Sequence, residues 1–556
     1  MYSIYARSGE RQIMCGILAL LNTRYHSSYN TLFERGVRRG PEVSSIQEVG
    51  MKVVMGFHRL AINGLNQESN QPIRLGDVVL ICNGEIYNYT ELYALLGDSV
   101  TPSTDSDCEI IVHLYLKYGM EHTLQLLDGE FAFVLLDQSA HLPHSLVYIA
   151  RDPYGVRPLY ISHFSDQTIG FASEMKMLAG DILHFRPGHV STYSLSNGIH
   201  PTWTLASHTP YFIPRPVSVF MPASTDPRQA IFDTLVNAVR KRVYNTERPV
   251  ACLLSGGLDS SLVASIAASM VPIETYSIGL AGSEDVAYAR RVAEHIGSAH
   301  REIVLTEQEF LEAIPEVIEA VETYDTTTVR ASIGNYLVGK YIAANSECKV
   351  VLNGDGSDEV AGGYLYMHAC PDALEFDRET RRLLHEIHQY DVLRSDKSIA
   401  SHGLEPRTPF LDRDFVDTFL AIPPEIRFHP GQRKPEKYLI REAFAGKRVP
   451  DGTRTYLPDE VLWRRKEAFS DGVSKTTRSL YEIIQEHVET VAFDKPDIVE
   501  LPVPPQTREQ NYYRSLFEKL YTGQGGILSH FWMPKYVDAE DASARTILHQ
   551  LFQGEK

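Results

Sequence analysis

The sequence predicts two consecutive domains that combine helices and strands: an α+β domain, then a parallel α/β domain with a helical C-terminal part. In the first part of the chain, polar clusters stand beside short apolar stretches, as expected for loops on a rigid sheet. In the second part, apolar strands alternate with helical segments, the pattern of a parallel sheet covered on both faces. The stretch from about 196 to 226 is rich in Pro, Ser and Thr and is the predicted linker. We therefore place the domains at 15–205 and 227–545.

The composition excludes several classes of protein. A chain of 556 residues with 43% hydrophobic and 22% charged residues has the content of packed domains rather than of a disordered protein. The formal net charge of −18 argues against a nucleic-acid partner, which would need a basic surface. No apolar stretch approaches the roughly 18 residues of a membrane span, and residues 1–14 lack the apolar centre of a secretory signal. We expect a soluble, cytoplasmic protein without a membrane partner.

The six cysteines do not form a disulfide framework in so long a chain, and no CxxC pair suggests zinc. Four lie in or beside apolar strand or helix patterns, where a free Cys is usually a small buried hydrophobe. Cys15 differs because it directly follows Met14 and stands at the head of an apolar strand. For an isolated Cys, a buried strand position would still be the better interpretation.

Five polar clusters follow Cys15 at short intervals, each attached to a predicted strand, and together they indicate a site assembled from loops. The clusters are Arg39-Gly40-Pro41-Glu42, Gly56-Phe57-His58-Arg59-Leu60-Ala61-Ile62, Asn70-Gln71-Pro72, Asn83-Gly84-Glu85-Ile86-Tyr87-Asn88 and Ser106-Asp107-Cys108-Glu109. Alone, each has an ordinary interpretation: Arg59 as a surface charge, Asn83-Gly84 as a hairpin turn and Asp107 as a helix cap. Their joint order along the chain makes chance a poor explanation.

This set of motifs resembles the class II glutamine amidotransferases, whose glutaminase domain is an N-terminal-nucleophile αββα sandwich. The resemblance implies that the Cys15 thiolate attacks the side-chain amide of glutamine, with the free α-amino group of Cys15 as the base. An α-amino group titrates near roughly pH 8, so it can accept the thiol proton without a histidine. Asn83 and Gly84 are then the oxyanion hole, and two preorganised donors suit a tetrahedral oxyanion.

The same resemblance implies a set of residues that bind glutamine. Arg59 would pair with the glutamine carboxylate, as a planar guanidinium does well, while Glu85 and Asp107 would hold the α-amino group. The implied glutamine-binding residues are Arg59, Leu60, Ala61, Ile62, Asn63, Asn83, Gly84, Glu85 and Asp107.

The start of the chain departs from that family. Residues 1–13 precede Met14, and a Cys inside a chain has no free amine. Translation could begin at Met14, the leader could be cleaved, or glutaminase activity could be lost. We favour a start at Met14 or processing, because the rest of the glutamine site is intact.

After the linker, predicted strands and helices alternate. The predicted helices run from Ala230 to Val243, Asp285 to Ile296 and Phe310 to Val321, and the predicted strands from Glu274 to Gly279, Arg301 to Leu305 and Lys349 to Leu352. In open sheets of this kind, ligands bind at the carboxyl ends of the strands.

The stretch from Val250 to Ser261 reads as a buried strand, a glycine-rich turn and a helix start. Gly256 and Gly257 let backbone N–H groups approach an anion, and the helix that follows points its partial positive end to the same place. The loop lacks the Lys of a GxxxxGK[ST] P-loop. The ordinary alternative is a glycine-bearing turn with Asp259 near the N-cap.

The SGGLDSS loop resembles the pyrophosphate loop of the ATP pyrophosphatases, and further motifs narrow the resemblance to glutamine-hydrolysing asparagine synthetases over almost the whole chain. The most discriminating motifs are the segment from Glu322 to Ser332 and the FSDGV segment at 469–473. The other matching motifs are 353–359, 395–398, 402–412, 436–441, 466–468 and 542–545.

This second resemblance implies the residues of the synthetase site. The implied ATP-binding residues are Leu254, Ser255, Gly256, Gly257, Asp259, Ser260, Ile278, Asn353, Gly354 and Lys437. Glu322, Thr327 and Arg330 would contact the aspartyl-adenylate, and Arg330 would also act in catalysis. Asp259 and Asp358 would ligate the Mg²⁺ that bridges the phosphates of ATP.

One acidic residue departs from the family. The family has Ser-Gly-Glu-Gly-Ser-Asp-Glu where this chain has Asn353 to Glu359, so Asp355 replaces a Glu that is linked to adenylate formation and ammonia attack. Asp355 keeps the acid–base character but has one methylene less reach. We expect a rate penalty or a compensating shift of the loop.

The predicted reaction converts ATP, aspartate, glutamine and water to asparagine, AMP, pyrophosphate and glutamate through a β-aspartyl-AMP intermediate. The partners are these small molecules, and a homodimer is left open. One alternative is an ammonia-dependent synthetase with an inactive glutaminase. Others are a related amide-forming ATP pyrophosphatase, such as a β-lactam synthetase-like cyclase, and a binding or regulatory relative without catalysis.

Overall fold

The computed structural model describes residues 15–40, 42–98, 100–140, 142, 144–214, 221–222, 224–464, 478–493, 503–539, 541 and 543. The chain divides into two compact units. The first ends at Ile213 and also takes in Asn245–Arg248 and Ala400–Glu405. The second consists of Pro214–Tyr244, Pro249–Ile399 and the chain from Pro406 onward. Two short segments that the predicted boundaries place in the second domain, at 227–545, thus belong to the first unit rather than to the second.

The first unit contains two antiparallel six-stranded sheets. Its strands are β1 Gly16–Leu21, β2 Val43–Gly50, β3 Val53–Arg59, β4 Ile73–Leu75, β5 Val78–Ile86, β6 Gly129–Asp137, β7 Leu146–Arg151, β8 Tyr160–His163, β9 Ile169–Ala172, β10 Asp181–His184, β11 His189–Leu195 and β12 Trp203–Pro210. The first sheet has the order β10-β8-β9-β1-β3-β2, and the second has the order β12-β11-β7-β6-β5-β4. The helices are α1 Ser28–Glu34, α2 Tyr89–Leu96 and α3 Ile110–Leu126.

The core of this unit lies between its two sheets. Apolar side chains of the first sheet, such as Ile17 and Met55, share one buried cluster with side chains of the second sheet, such as Ile81 and Val134. The other face of the second sheet is covered by α2 and α3. On the outer face of the first sheet, Phe33 of α1 lies so close to β3 that only a glycine, Gly56, fits beneath it. These layers confirm the predicted αββα sandwich.

The predicted linker from about 196 to 226 is wrong in its first half. Trp203–Pro210 forms β12, which pairs antiparallel with β11 from Leu195 to His189. Only Trp203 of this strand is buried, and Trp203 N–H donates to Asn22 Oδ1 at 2.7 Å. An edge strand forms its backbone hydrogen bonds with one neighbouring strand, and here it buries only one side chain. It therefore needs no alternating apolar pattern, and the sequence shows none.

The second unit is built around a sheet of order β15-β14-β13-β16-β17. Its strands are β13 Val250–Leu253, β14 Ile273–Leu280, β15 Ala299–Leu305, β16 Val350–Leu352 and β17 Glu405–Arg407. The pairs β13–β14, β13–β16 and β14–β15 are parallel, as predicted. In the described part of the chain, none of the helices is long and apolar enough to cross a membrane.

The helices of the second unit surround this sheet and form most of its C-terminal part. They are α4 Pro227–Tyr244, α5 Leu258–Ala268, α6 Glu284–Ile296, α7 Glu307–Glu312, α8 Ile314–Val321, α9 Thr326–Asn345, α10 Ser357–Ala361, α11 Ala373–Glu386, α12 Asp391–Ala400, α13 Arg413–Ala421, α14 Pro424–Arg427, α15 Tyr438–Phe444, α16 Asp459–Leu462, α17 Leu480–Thr490 and α18 Arg508–Leu520. The single helix predicted from Phe310 to Val321 is instead divided between α7 and α8. Pro315 stands in the first turn of α8, where its missing N–H costs least.

Candidate active site

Cys15 stands immediately before β1, as predicted, and its thiol contacts the backbone after β3. Cys15 Sγ lies 3.3 Å from Leu60 O, to which it donates, and 3.4 Å from Leu60 N, from which it accepts. Arg39 Nε donates to Cys15 O at 3.0 Å. Burial raises the pKa of the Cys15 thiol well above its ordinary value. A nearby base is therefore needed before this thiol can act as a nucleophile.

The predicted oxyanion-hole residues lie on β5, and one of them is tied to the strand that follows Cys15. Ser173 Oγ accepts from Asn83 Nδ2 at 3.2 Å and from the N–H of Ile17, in β1, at 3.1 Å. A Cβ on Gly84 would lie 2.2 Å from Glu130 O, so no other residue fits there. Ser173 thus fixes Asn83 relative to β1, a role that the sequence did not reveal.

Glu85 and Asp107, the predicted ligands of an α-amino group, are both buried in this unit. Glu85 Oε2 accepts from Asn63 Nδ2 at 2.7 Å and from Asn245 Nδ2 at 3.1 Å. Asp107 Oδ2 accepts from the N–H of Ile86 at 2.6 Å, which fixes Asp107 against the end of β5. Two carboxylates are therefore held on neighbouring elements, an arrangement that suits an ammonium group.

The guanidinium of Arg59 is held by the loop that follows β3. Arg59 Nη1 donates to Asn66 O at 2.8 Å and to Asn70 Oδ1 at 2.6 Å, and Nη2 donates to Gly64 O. Burial lowers the pKa of Arg59, and nearby acidic groups oppose this. The loop therefore already uses both terminal nitrogens that were predicted to pair with the glutamine carboxylate.

Three residues from the segment 245–248 complete this site, and no sequence motif indicated them because they lie far along the chain from the other site residues. Asn245 contacts Glu85, as described above. Glu247 Oε1 accepts from the N–H of Gly64 at 2.7 Å, and Arg248 Nε donates to Ala61 O at 2.8 Å. The predicted glutamine-binding stretch from Leu60 to Asn63 is thus held in place by this segment.

The second unit contains a cavity of about 240 Å³ at the carboxyl ends of β13, β14 and β16. Sequence motifs predicted a ligand site at this edge of the sheet. The cavity residues that were predicted are Leu254, Ser255, Gly257, Asp259, Ser260, Ile278, Thr327, Asn353, Gly354, Asp355, Asp358 and Lys437. The cavity residues that sequence motifs did not single out include Tyr276, Asp391, Arg394 and Trp532.

The glycine loop between β13 and α5 has the compact form that its sequence predicts. Gly256 has φ +75°, and a Cβ there would lie 2.5 Å from Tyr288 Cβ and 2.6 Å from Ala289 N. Ser255 N–H donates to Ser260 Oγ at 3.2 Å, which closes the loop over the first turn of α5. The start of a helix and the backbone of a glycine turn therefore border the cavity, which suits an anionic ligand.

Two carboxylates and one ammonium group meet at the cavity wall. Lys437 Nζ lies 2.5 Å from Asp259 Oδ2 and 2.7 Å from Asp358 Oδ1. Burial acts to lower the pKa of Lys437, but the two carboxylates outweigh it and the pKa is raised. Among the described residues, no group of three or more His, Cys, Asp or Glu side chains could hold a metal. Two convergent carboxylates fit an Mg²⁺ that takes its other ligands from phosphate oxygens and water.

The loop after β16 passes directly beside the glycine loop. A Cβ on Gly354 would lie 2.7 Å from Ser260 N and 2.8 Å from Asp259 Cβ. Asn353 Nδ2 donates to Ser395 Oγ at 2.6 Å, and Asn353 Oδ1 accepts from the N–H of Asp355 at 3.2 Å. The two predicted ATP-binding loops are therefore in contact, and Asn353 shapes the turn that carries Asp355.

Asp355 lines the cavity and is paired with an arginine that sequence motifs did not single out. Arg394 Nη2 lies 2.9 Å from Asp355 Oδ1 and 3.3 Å from Asp391 Oδ1. Burial raises the pKa of Asp355, while Arg394 acts to lower it. Tyr364 OH donates to Glu359 Oε1 at 2.5 Å and to Asp391 Oδ2 at 3.3 Å. Asp355 therefore stands at one end of a partly buried network of acidic, basic and phenolic groups.

The three residues predicted to contact the aspartyl-adenylate are placed differently from one another. Thr327 lines the cavity, and its buried hydroxyl has no hydrogen-bond partner among the described residues. Glu322 and Arg330 do not line it. Glu322 is fully buried and pairs with Lys397. The FSDGV segment at 469–473, like Met14, lies outside the described residues.

Arg330 pairs with two carboxylates far along the chain. Arg330 Nε and Nη2 donate to Glu509, the first at 2.7 Å, while Nη1 and Nη2 donate to Asp541 at 2.9 and 2.8 Å. Burial acts to lower the pKa of Arg330, but Glu509 and Asp541 outweigh it and the pKa is raised. This arrangement differs from the predicted contact with the adenylate.

Comparison with known proteins identifies both units. Residues 230–375 and 369–538 match the family described as asparagine synthase, and residues 14–225 match the glutamine amidotransferase domain. The chain is 39% identical to the glutamine-hydrolysing asparagine synthetase of Gallus gallus over 96% of this chain and 99% of that protein. It is 39% identical to the Homo sapiens protein and 38% identical to the Pongo abelii protein of the same name, over the same shares.

Solved structures match parts of the chain at low similarity. A glutamine aminotransferase class-II domain protein from Silicibacter pomeroyi is 16% identical, covers 32% of this chain and 94% of its own, and has a TM-score of 0.20. An NMN synthetase from Francisella tularensis is 13% identical, covers 50% of this chain and 100% of its own, and has a TM-score of 0.24. These scores are too low to support an argument, whereas the two family matches and the near full-length relatives suffice: the chain belongs to the glutamine-hydrolysing asparagine synthetases.

Proposed function

We propose that this chain makes asparagine and AMP from aspartate and ATP, using ammonia that it releases from glutamine, with glutamate and pyrophosphate as the other products. The support is the near full-length identity to glutamine-hydrolysing asparagine synthetases together with two sets of residues that fit the two half-reactions.

In the glutaminase half-reaction, the Cys15 thiolate attacks the side-chain amide carbon of glutamine. Asn83 Nδ2 and the N–H of Gly84 then stabilise the oxyanion. Asn83 suits this role because Ser173 takes only one of the two N–H donors of its amide. Ammonia leaves, and water releases glutamate from the thioester.

The base for that step is the α-amino group of Cys15 itself, in a form of the protein in which Cys15 is the first residue. The described residues offer the thiol only backbone partners, at Leu60, and burial raises its pKa. An amine that titrates near roughly pH 8 can take the thiol proton at neutral pH.

Glutamine itself is bound by its α-amino and α-carboxylate groups. Glu85 and Asp107 receive the ammonium group, and the Arg59 side chain and the backbone from Leu60 to Asn63 receive the carboxylate. Bidentate pairing at Arg59 requires that its bonds to the loop residues Asn66 and Asn70 be exchanged for bonds to the ligand.

In the synthetase half-reaction, the side-chain carboxylate of aspartate attacks the α-phosphorus of ATP and pyrophosphate leaves. The glycine loop from Ser255 to Ser260 binds the phosphates, and Leu254, Ile278, Asn353 and Gly354 border the nucleotide. Ammonia then attacks the acyl carbon of β-aspartyl-AMP, and AMP leaves. Asp355 lines the cavity and takes the proton that ammonia loses, and burial, which raises its pKa, makes it a stronger base.

Asp259 and Asp358 are the residues that would hold Mg²⁺. When bound, Mg²⁺ would neutralise charge on the departing pyrophosphate. Lys437, which lies between the two carboxylates, is close enough to bind the same phosphates as a point charge.

One observation carries the proposal most strongly: the glycine loop, the two carboxylates and Lys437 border a single cavity at the carboxyl ends of parallel strands. Topological positions of this kind bind nucleotides in open α/β sheets. A binding protein without catalysis would not need the additional Asp355–Arg394 pair at the same cavity.

The test compares glutamine and ammonia as nitrogen donors in the parent protein and in Cys15→Ala. The parent should make asparagine and pyrophosphate in equal amounts from either donor. Cys15→Ala should lose glutamine hydrolysis and glutamine-dependent synthesis but keep synthesis from ammonia. Cys370→Ala, which removes a buried thiol outside both sites, is the control. Absence of pyrophosphate formation from aspartate and ATP in the parent would refute the synthetase assignment.

The N-terminus is tested separately by intact mass and N-terminal sequencing of the protein from its native source, together with glutaminase activity without ATP. A chain that begins at Cys15 and hydrolyses glutamine supports the complete two-site enzyme. A chain that begins at Met1 and hydrolyses no glutamine supports the alternative, an ammonia-dependent synthetase.

A further inference from the structure

The stretch Gly525–Asp541 is called the C-terminal segment below. It is held by residues of the motif from Glu322 to Ser332, which sequence resemblance assigns to contacts with the adenylate. Tyr324 OH donates to Gly525 O at 2.7 Å, and Asp325 Oδ1 accepts from the N–H of Trp532 at 2.8 Å. Arg330 pairs with Asp541 through two bonds of 2.9 and 2.8 Å. A motif of a few residues therefore anchors the C-terminal segment at its beginning, middle and end.

The middle anchor connects the C-terminal segment to the wall of the cavity. Asp325 Oδ2 accepts from the backbone N–H and the hydroxyl of Thr328 at 2.8 and 2.7 Å, and so caps α9. Thr327, which lines the cavity, stands in the first turn of that helix. Because the other oxygen of Asp325 holds Trp532, a single fully buried carboxylate fixes both cavity residues.

Trp532 itself lines the cavity next to two tyrosines. Its ring centroid lies 5.1 Å from that of Tyr364 and 6.0 Å from that of Tyr366. Tyr364 contacts Asp391, and Asp391 shares Arg394 with Asp355. A continuous series of direct contacts thus leads from the indole of Trp532 to the proposed proton acceptor.

We propose that Trp532 is a positioning residue of the synthetase cavity. Its indole forms the cavity wall near Tyr364 and Asp355, and it keeps water away from the acyl carbon of the adenylate. This inference rests on the proposed function. Arg330 then acts in synthesis by anchoring the C-terminal segment through Asp541 rather than by touching the adenylate.

The chemical consequence is a side reaction that can be measured. Attack of water on the acyl carbon of β-aspartyl-AMP breaks the bond to the phosphate oxygen and gives aspartate, AMP and two protons. Attack of ammonia at the same carbon gives asparagine, AMP and a proton. Either route follows the release of one pyrophosphate, so water leakage appears as pyrophosphate made in excess of asparagine.

The experiment measures pyrophosphate and asparagine in the same samples, with ammonia as the nitrogen donor, for the full chain carrying Trp532→Ala. We expect the pyrophosphate-to-asparagine ratio to rise from about one to two or more, and the KM for aspartate to rise about tenfold, since a well-packed ring is lost at the cavity wall. The KM for ATP should stay within about twofold, because the phosphate loops are unchanged. Trp463→Ala, at a 46% exposed tryptophan that does not line the cavity, should change none of these values.

Two further variants keep the test decisive if Trp532→Ala does not fold. Trp532→Phe keeps an aromatic ring and should show a smaller rise in the ratio, and Asp541→Asn weakens the distant anchor and should raise the ratio without altering a cavity residue. Folded variants with the parent's ratio and aspartate KM would overturn the inference while the proposed function stands. A parent protein that makes no pyrophosphate from aspartate would overturn the proposed function instead, and the inference with it.

Discussion

Arg394 Nη2 donates to Asp355 Oδ1 at 2.9 Å, and this ion pair holds an acidic side chain at the wall of the cavity. Asp355 is proposed to accept a proton during ammonia attack. We expect Asp355→Asn to lower the turnover of ammonia-dependent synthesis by about 100-fold, a typical effect of losing a general base. Glutamine hydrolysis without ATP should not change. Asp414→Asn, at a 65% exposed carboxylate, is the control, and parent-like turnover in Asp355→Asn would exclude a catalytic role.

The length of the Asp355 side chain gives a second prediction. The resemblance of the motif around Asp355 implies a Glu at this position in the family, and an Asp carries its carboxyl one methylene less far into the cavity. We expect Asp355→Glu to raise the turnover of asparagine synthesis by about twofold or more, because the added methylene restores reach. The measurement is the steady-state rate with ammonia. If there is no gain, the missing methylene does not limit the rate, and the loop held by Asn353 and Arg394 already compensates for it.

The glycine loop gives a third prediction with a matched control. Gly256 and Gly282 have similar backbone angles, φ +75° and +88°, but a Cβ would meet the backbone of Ala289 only at Gly256 and would meet nothing within 4 Å at Gly282. We expect Gly282→Ala to cost about 1 kcal/mol of stability from backbone strain alone. Gly256→Ala should cost more and should also raise the KM for ATP, since the loop must shift. Equal effects of the two substitutions on the KM for ATP would contradict this account of the loop.

The sequence predicts this loop well because its signal is local: strand, turn and helix start are contiguous from Val250 to Ser261. The same holds for Cys15 at the head of β1. The partners of Arg330 could not be predicted, since Glu509 and Asp541 are brought to it only by tertiary packing. The pairing of Lys437 with Asp259 is equally remote, because these residues are 178 positions apart. Motif resemblance therefore finds the residues of a site but not which of them face the ligand.

A fourth prediction concerns the dependence of stability on pH. His58 is buried between Ser44 Oγ at 2.7 Å and Phe33 O at 2.8 Å, and burial lowers its pKa to about 4 from an ordinary 6.5. Between these values the unfolded chain binds a proton that the folded chain does not. The contribution of His58 to the free energy of unfolding is therefore at its maximum above about pH 6.5. It falls by about 1.4 kcal/mol per pH unit as the pH drops toward 4.

The variant His58→Gln isolates this contribution. Gln keeps hydrogen-bonding capacity but does not titrate, so the difference in unfolding free energy between the parent and the variant should shrink as the pH is lowered from about 7 to 4.5. Urea unfolding of both proteins across this range measures it. His26→Gln, at an exposed histidine of the same unit, should give a difference that does not depend on pH in this way. If the free energies of unfolding of the parent and of His58→Gln change with pH in parallel, His58 is not the group that causes the loss of stability at low pH.

Lys437 provides the last prediction, because its ammonium group lies between the two proposed Mg²⁺ ligands, Asp259 and Asp358, at 2.5 and 2.7 Å. Lys437→Met leaves these carboxylates without a cation, and we expect a loss of about 2 kcal/mol, less than for a fully buried ion pair because each carboxylate is 19% exposed. Added Mg²⁺ should recover part of that loss, because a divalent cation bound by both carboxylates stabilises only the folded state. Thermal unfolding with and without Mg²⁺ measures both effects. The control is Lys434→Met, because Lys434 is 37% exposed and pairs with Glu442. We expect this substitution to lower the free energy of unfolding by less than about 1 kcal/mol, with no specific response to Mg²⁺. If Mg²⁺ recovers none of the stability lost in Lys437→Met, Asp259 and Asp358 do not hold the ion.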